Sequence, residues 1–352
     1  MPLLLDHLRL RSNIGRVASC AAPLDIGLVN NMPDAAIEAT ERQFVQLLDA
    51  ASGDTVIRLK LFCLPEVDRS DLVRHRLQDR YSDIAALWDA KLDGLIVTGT
   101  EPRAADLRAE PYWPALTKLI DWAQENTAST IWSCLAAHAA VLHLDGVERR
   151  PLPDKRFGVF DCIKSSRHSL TSDAALPLRI PHSRWNDLRT ADLAGCGYDV
   201  LTRSDSAGVD MFVKQARSLF VFFQGHPEYD SSTLLREYRR DIGRFLRHER
   251  NNYPSMPQGY FHRYAVALLD AFQERALAER REDLLASFPM RSLDAALSNS
   301  WRASALSIYA NWLAGLAECK ATKSKSAGGM RNATRQRYAA SAVAAANTRS
   351  ST

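Results

Sequence analysis

No apolar run in this 352-residue chain approaches the roughly 18 residues that span a membrane. The opening Met1-Pro2-Leu3-Leu4-Leu5-Asp6-His7 is too short an apolar stretch for a signal peptide, so neither membrane insertion nor export is expected. Six cysteines are scattered at positions 20, 63, 134, 162, 196 and 319 without a C-x-x-C pair. That spacing suits neither a disulfide frame nor a zinc site, and reduced thiols in a cytoplasmic protein are expected. The phosphate loop G-x-x-x-x-G-K-[ST], the dinucleotide fingerprint G-x-G-x-x-G, the zinc motif H-E-x-x-H and the serine elbow G-x-S-x-G are all missing. Nucleotide, metal and serine-hydrolase chemistry are disfavoured, and no bound cofactor or metal is expected. The net charge is only +4, part of it from Lys320, Lys323, Lys325, Arg331, Arg335 and Arg337, and the remaining body is nearly neutral. A nucleic-acid footprint is not supported.

What is present is the 46% hydrophobic, 24% charged composition of a soluble globular protein. Residues 1–22 read as an irregular arm. Leu24–Asn31, Thr55–Leu64, Leu92–Thr98 and Ser129–Ser133 read as buried strands. Helical spacing alternates with them over Ile37–Ala51, Asp71–Lys91 (Leu72, Leu77, Ile84, Leu87 and Trp88 inward), Tyr112–Asn126 and Leu135–Leu144. That alternation predicts βαβ units and a mainly parallel sheet in an α/β sandwich, with functional loops at the C-terminal strand ends. Residues 150–215 are richer in strands and loops. Helices follow over Thr233–Glu249, with Ser231 or Ser232 as cap, then Phe261–Phe288 and Ala295–Lys320. Lys320–Thr352, rich in Ala, Ser, Thr and basic residues, reads as a disordered tail.

The apolar run Ser218–Phe223 leads into Gly225-His226-Pro227-Glu228-Tyr229-Asp230. A histidine and a carboxylate two residues apart on extended chain can face the same side, so Glu228 can hold the imidazole of His226 in one tautomer. Cys134 lies where a strand runs into a helix, near the positive end of the helix dipole, a position that favours thiolate. The backbone N–H of Leu135 is free there to face an oxyanion, and the Gly99-Thr100 loop can supply a second donor. Cys134, His226 and Glu228 therefore form a candidate acyl-transfer triad. Arg240, Lys155, Ser183 and Arg184 are candidate anion clamps, although such groups are more often solvated or paired on the surface. His138 and His182 are rival bases, His138 better read as a packing group.

These segments resemble the homoserine O-succinyltransferase family. The matching stretches are Asn31-Met32-Pro33 with Glu41-x-Gln43-Phe44, Asp93–Gly99, Tyr112-Trp113, Gly158-Val159-Phe160, Pro181-His182-Ser183-Arg184, Gly225–Asp230 and Asn311-Trp312. The likeness covers about residues 24–316, and the domain is placed at 23–319, between the arm and the tail. It implies a flavodoxin-like three-layer sandwich of the class I glutamine-amidotransferase type, with C-terminal helices. It also implies a ping-pong acyltransferase of methionine biosynthesis, often dimeric. Cys134 would take an acyl group from acyl-CoA, His226 would deprotonate L-homoserine, and Glu228 would orient His226. Arg240 would meet the homoserine carboxylate, with Lys155 and Ser183 also touching substrate.

Two departures stand out. Asp34-Ala35-Ala36 replaces the family's lysines after Asn-Met-Pro, and Thr100-Glu101-Pro102-Arg103 replaces its Ala-Pro-Leu/Val. A residue in the second loop helps select the acyl group in the family, and ungapped alignment puts Arg103 there, with Glu101 two residues earlier. A cation suits the free carboxylate of succinyl, which favours succinyl-CoA over acetyl-CoA. The departures leave room for acetyl transfer or another amino-acid acceptor. A glutamine amidotransferase-like amidase is disfavoured, because those enzymes usually carry glycine where this chain has Ala136 and work with a synthase that is missing here. A catalytically silent binding protein is disfavoured by retention of all three triad residues.

Overall fold

The computed structural model describes residues 3–5 and 22–349. In chain order the first half comprises β1 (Leu3–Leu5), β2 (Leu24–Val29), α1 (Ile37–Ala51), β3 (Ile57–Phe62), α2 (Asp71–Gln78), α3 (Ala85–Trp88), β4 (Gly94–Thr98), α4 (Trp113–Asn126), β5 (Ser129–Ser133) and α5 (Leu135–Asp145). The second comprises β6 (Arg150–Lys164), β7 (Leu178–Asp187), α6 (Thr190–Ala194), β8 (Asp199–Ser204), β9 (Gly208–Gln215), β10 (Leu219–Phe223), α7 (Thr233–Leu246), α8 (Arg263–Glu279), α9 (Met290–Asp294) and α10 (Arg302–Arg349).

All strands join one sheet in the order β1-β3-β2-β4-β5-β10-β9-β8-β6-β7. From β1 to β10 in that order every pairing is parallel, as the βαβ reading predicts. Beyond β10 the pairings are antiparallel, formed by the strand-rich segment between α5 and α7. On one face Phe44, Leu47 and Leu48 of α1 and Ile308, Tyr309 and Trp312 of α10 cover Ile26, Leu28, Ile96 and Ile131. On the other, Leu116, Leu119 and Ile120 of α4 and Ala137, Ala140 and Val141 of α5 cover Val29, Leu95, Val97 and Trp132. The result is a three-layer α/β sandwich. A third cluster joins α7 and α8 to Trp301.

β2 lies between β3 and β4, so the connections after β2 and β4 diverge and open a crevice at the C-terminal strand ends. Asn31 ties these ends together. Its N–H donates to Thr98 Oγ1 at 2.8 Å, its Nδ2 to Thr98 O at 3.2 Å, and its Oδ1 accepts from Leu64 N at 3.1 Å. Buried Arg69 adds donations to Met32 O and Asn30 O.

Several expectations change. The helix read over Phe261–Phe288 ends at Glu279, and a 3-10 turn follows over Glu282–Ser287. Leu3–Leu5, placed in an irregular arm, form a parallel edge strand against β3. Asp71–Lys91 is broken into α2 and α3, because Tyr81 is buried and Ser82 N donates to Leu61 O of the sheet; Leu72, expected inside, is 62% exposed. Ser232 occupies the N-cap position of α7 without a capping side-chain bond, and Asp230 Oδ1 instead accepts from Ser232 N, Ser232 Oγ and Thr233 Oγ1. The segment from Lys320, read as disordered, continues α10 as helix to Arg349. Alanine content and the lack of proline make that backbone state accessible.

Candidate active site

Cys134 follows β5 directly and precedes α5, with φ 51° and ψ −108°. Such a left-handed conformation is costly for any side chain, about 1–2 kcal/mol, and marks a position constrained by more than packing. The turn is held from below, since Cys134 N donates to Phe223 O of the neighbouring strand at 2.8 Å. A Cβ on Gly99 would lie 2.5 Å from the Leu135 Cβ, 3.0 Å from its amide nitrogen and 3.1 Å from that of Ala136. Only glycine lets the loop after β4 come this close to the amides that open α5.

β10 runs parallel to β5, pairing Phe223 with Ser133, so the chain leaves β10 beside Cys134. His226 is buried and its N–H donates to Pro181 O at 2.7 Å. Its Nδ1 donates to Glu228 Oε1 at 2.8 Å, and the ring interacts electrostatically with Cys134. Ser133 Oγ donates to the same Glu228 oxygen at 3.4 Å, and Tyr229 stacks on the imidazole at 4.3 Å between ring centres. Burial disfavours charge on the imidazole. The Glu228 carboxylate and then the Cys134 sulfur more than offset this, and the His226 pKa lies well above the ordinary histidine value. The fold thus brings Cys134 beside the bonded pair His226–Glu228.

The rival histidines lie beneath that pair. His138 is buried and donates from Nε2 to Gln224 Oε1 at 3.0 Å; burial lowers its pKa to about 3 and keeps it neutral. His182 accepts at Nδ1 from Arg184 Nε at 3.3 Å, and its Nε2 faces Asp210 Oδ1 at 3.3 Å, off line for a hydrogen bond. Burial lowers its pKa as well. Arg184 is no anion clamp, because its guanidinium is committed to Asn186 O, Asp187 and Ala207 O. Cys162, His182 and Asp210 offer ligand atoms within 4.8 Å of one another, a buried set that could hold a metal ion. Here Arg184 and Thr202 already satisfy the outer atoms of His182 and Asp210.

Lys155, Ser183 and Arg240 converge on two acids of α7 that the sequence reading passed over. Glu237 accepts from Tyr229 Oη at 2.7 Å, from Lys155 Nζ at 3.4 Å and from Ser183 Oγ. Asp241 accepts from Lys155 Nζ at 3.0 Å and from Arg240 Nη2 at 3.1 Å. Burial raises the Glu237 carboxyl, but Lys155, Ser183 and Tyr229 pull it below its ordinary value, so it is held ionised. The one-turn spacing of Glu237 from Arg240 (i, i+3) and from Asp241 (i, i+4) was the available local signal. Because Tyr229 touches both His226 and Glu237, this charged cluster adjoins the triad.

The loop after β4 is pinned by buried Glu110, whose Oε1 accepts from Arg103 N at 2.5 Å and Ala104 N at 2.6 Å. The Arg103 guanidinium points outward to Asp68 at 2.8 Å, with the side chain 73% exposed. Glu101 pairs with Arg244 of α7 at 3.3 Å. Asp34, at the other departure from the family pattern, accepts from Ser70 N at 2.9 Å.

Residues 16–319 match the family model described as Homoserine O-succinyltransferase. The chain is 53% identical over 300 residues to a homoserine O-succinyltransferase of Rhodopseudomonas palustris, covering 85% of this chain and 90% of that protein. It is 49% identical over 296 residues to one of Bradyrhizobium japonicum, covering 84% and 90%. Among solved structures, a glutamine amidotransferase from Methylobacillus flagellatus aligns at 17% identity with a TM-score of 0.49, covering 83% of this chain and 94% of that one.

Proposed function

The chain belongs to the homoserine O-succinyltransferase family, a family of acyltransferases, and from that premise we propose that it moves a succinyl group from succinyl-CoA to the γ-hydroxyl of L-homoserine through a thioester on Cys134. The observation that carries this reading is the bonded pair Glu228–His226 set beside Cys134, which stands on a left-handed turn at the start of α5.

The proton inventory follows from the raised His226 pKa. At rest an imidazolium faces the sulfur. The Cys134 thiolate attacks the acyl-CoA carbonyl, and the oxyanion is met by the amide of Leu135 and by that of Thr100 across the Gly99 contact. Collapse expels the CoA thiolate, which takes the proton from His226. The neutral imidazole then accepts the γ-hydroxyl proton of homoserine as that oxygen attacks the acyl-cysteine. Cys134 departs as thiolate and the imidazolium is restored. No cofactor enters this cycle.

Homoserine is a zwitterion, and the cluster beside His226 presents both signs. Ionised Glu237 suits its ammonium group, while Arg240, Lys155 and Ser183 suit its carboxylate. The product would feed methionine biosynthesis. Mass spectrometry of the protein after incubation with an equimolar mixture of succinyl-CoA and acetyl-CoA tests the reading. One succinyl adduct that disappears on adding L-homoserine and is missing from Cys134→Ala is expected. An acetyl adduct formed in preference would replace the donor, and no adduct at all would remove the covalent route.

A further inference from the structure

Gly225, immediately before the proposed base, lies against a wall of three fully buried side chains. A Cβ on it would stand 2.6 Å from Ile180 Cγ2, 2.7 Å from Asp210 Oδ1 and 3.0 Å from His182 Nε2. Ile180 and His182 come from β7 and Asp210 from β9. The main chain is held on both sides of the same point. Gln224 N donates to Asp210 O at 2.8 Å, and His226 N donates to Pro181 O at 2.7 Å. Pro181 stands between Ile180 and His182, so β7 supplies both wall and carbonyl. Asp210 Oδ2 accepts from Thr202 Oγ1 at 2.8 Å, and Arg184 Nε donates to His182 Nδ1 at 3.3 Å. With Nδ1 an acceptor, the imidazole proton sits on Nε2 and faces Asp210 Oδ1 at 3.3 Å. The two are off line for a hydrogen bond, and neither atom has another partner. A donor and an acceptor left so in the interior are unfavourable, and packing alone requires neither group. Burial lowers the His182 pKa, so its ring stays neutral and adds no positive charge next to His226.

We propose that His182 and Asp210 are a positioning pair for His226. They touch neither substrate nor reacting atom. Their polar atoms abut Gly225 and fix where the next residue leaves the sheet, so that the His226 imidazole meets Glu228 beside Cys134. This rests on His226 being the base of both half-reactions, as read above. A base misplaced by about 1 Å loses about 100-fold in rate, while Lys155, Ser183 and Arg240 lie elsewhere and keep their hold on substrate. In Asp210→Ala, which opens the wall, the single-turnover rate of each half-reaction should fall about 10- to 100-fold, with KM for succinyl-CoA and L-homoserine within about threefold of native. Asp210→Asn keeps the shape and a partner for Thr202, and should keep the rate near native. NMR of protein carrying histidine labelled with nitrogen-15 gives a readout without substrate. The Nδ1–H resonance of His226, bonded to Glu228, should shift or broaden in Asp210→Ala. A folded Asp210→Ala with native rates and an undisplaced resonance, its thermal midpoint alone lowered, would overturn the positioning role and leave the pair as core packing. Should Asp210→Ala fail to fold, His182→Gln is read by the same two measurements. If the native enzyme forms no succinyl adduct, the donor reading fails, and the resonance alone decides the pair: displaced in the variant it upholds the role, undisplaced it overturns it.

Discussion

Gly99 and Leu135 touch across the crevice so closely that a methyl group on Gly99 would stand 2.5 Å from the Leu135 Cβ. The contact joins the loop after β4 to the first turn of α5, beside Cys134, the proposed nucleophile. Gly99→Ala must push the two apart. Overpacking of this kind costs about 1–3 kcal/mol, and displacing one oxyanion donor lowers the rate about 100- to 1000-fold. The expected result is a folded protein with a lower thermal midpoint and a Cys134 acylation rate reduced far beyond what the stability loss explains. Stopped-flow release of CoA checks it, and an unchanged rate would contradict the oxyanion assignment.

The His226 pKa is raised, with Glu228 the largest favourable cause, so the imidazolium persists above the ordinary histidine value. Stability from this pairing is fully present below about pH 6.5 and is lost as pH rises through the elevated pKa. Glu228→Gln removes the main upward push. The alkaline limb of kcat/KM for succinyl-CoA should move to lower pH, and the protein should lose the part of its stability held at neutral pH. A pH–rate profile in which the limb stays in place would show that Glu228 does not set the charge of His226.

Glu237→Gln separates the two half-reactions. The acid touches Tyr229, Ser183 and Lys155 but not Cys134. Its removal should raise KM for L-homoserine at least about tenfold, while succinylation of Cys134 in the absence of acceptor proceeds near the native rate. Because the Glu237 pKa is depressed, its contribution is present above its unfolded value and is lost on acidification through the folded one. Single-turnover kinetics with and without homoserine decide the matter.

Gln224 is the hub beneath the triad. Its amide donates to Val209 O at 2.8 Å and Leu188 O at 3.3 Å, and its carbonyl accepts from Leu188 N at 2.9 Å and from His138. Gln224→Leu leaves several buried partners unsatisfied at about 1–3 kcal/mol each. A loss of roughly 3 kcal/mol or more in urea unfolding is expected. A shift below about 1 kcal/mol would mean that water takes over these bonds.

Legibility in the sequence follows how local each signal is. Strands such as Gly94–Thr98 and Ser129–Ser133 are buried on both faces and read as apolar runs. Cys134 and His226 stand at or just past the ends of such runs, so their placement was visible. Glu237 and Asp241 were not, because their role depends on Lys155 and Ser183 arriving from β6 and β7. The antiparallel half was obscure for the same reason, since its register is set by long-range pairing. Alignment fixes the backbone position of Arg103 and cannot say that Asp68 draws its side chain outward. Leu72 shows the limit of helical periodicity where a helix is short and peripheral.

The register of β5 against β10 has a wider consequence. Ser133 and Phe223 are paired residues of adjacent strands; Cys134, the proposed nucleophile, directly follows one, and His226, the proposed base, stands three residues past the other. Their separation is therefore tied to the spacing between neighbouring strands, about 4.8 Å, which side-chain substitution barely alters. The loop at 99–110 and the acids of α7 are tied to no such ruler. Insertions and exchanges there can retune which donor and acceptor are admitted while the distance between sulfur and imidazole stays put. In this fold, specificity is free to drift and the reaction geometry is not.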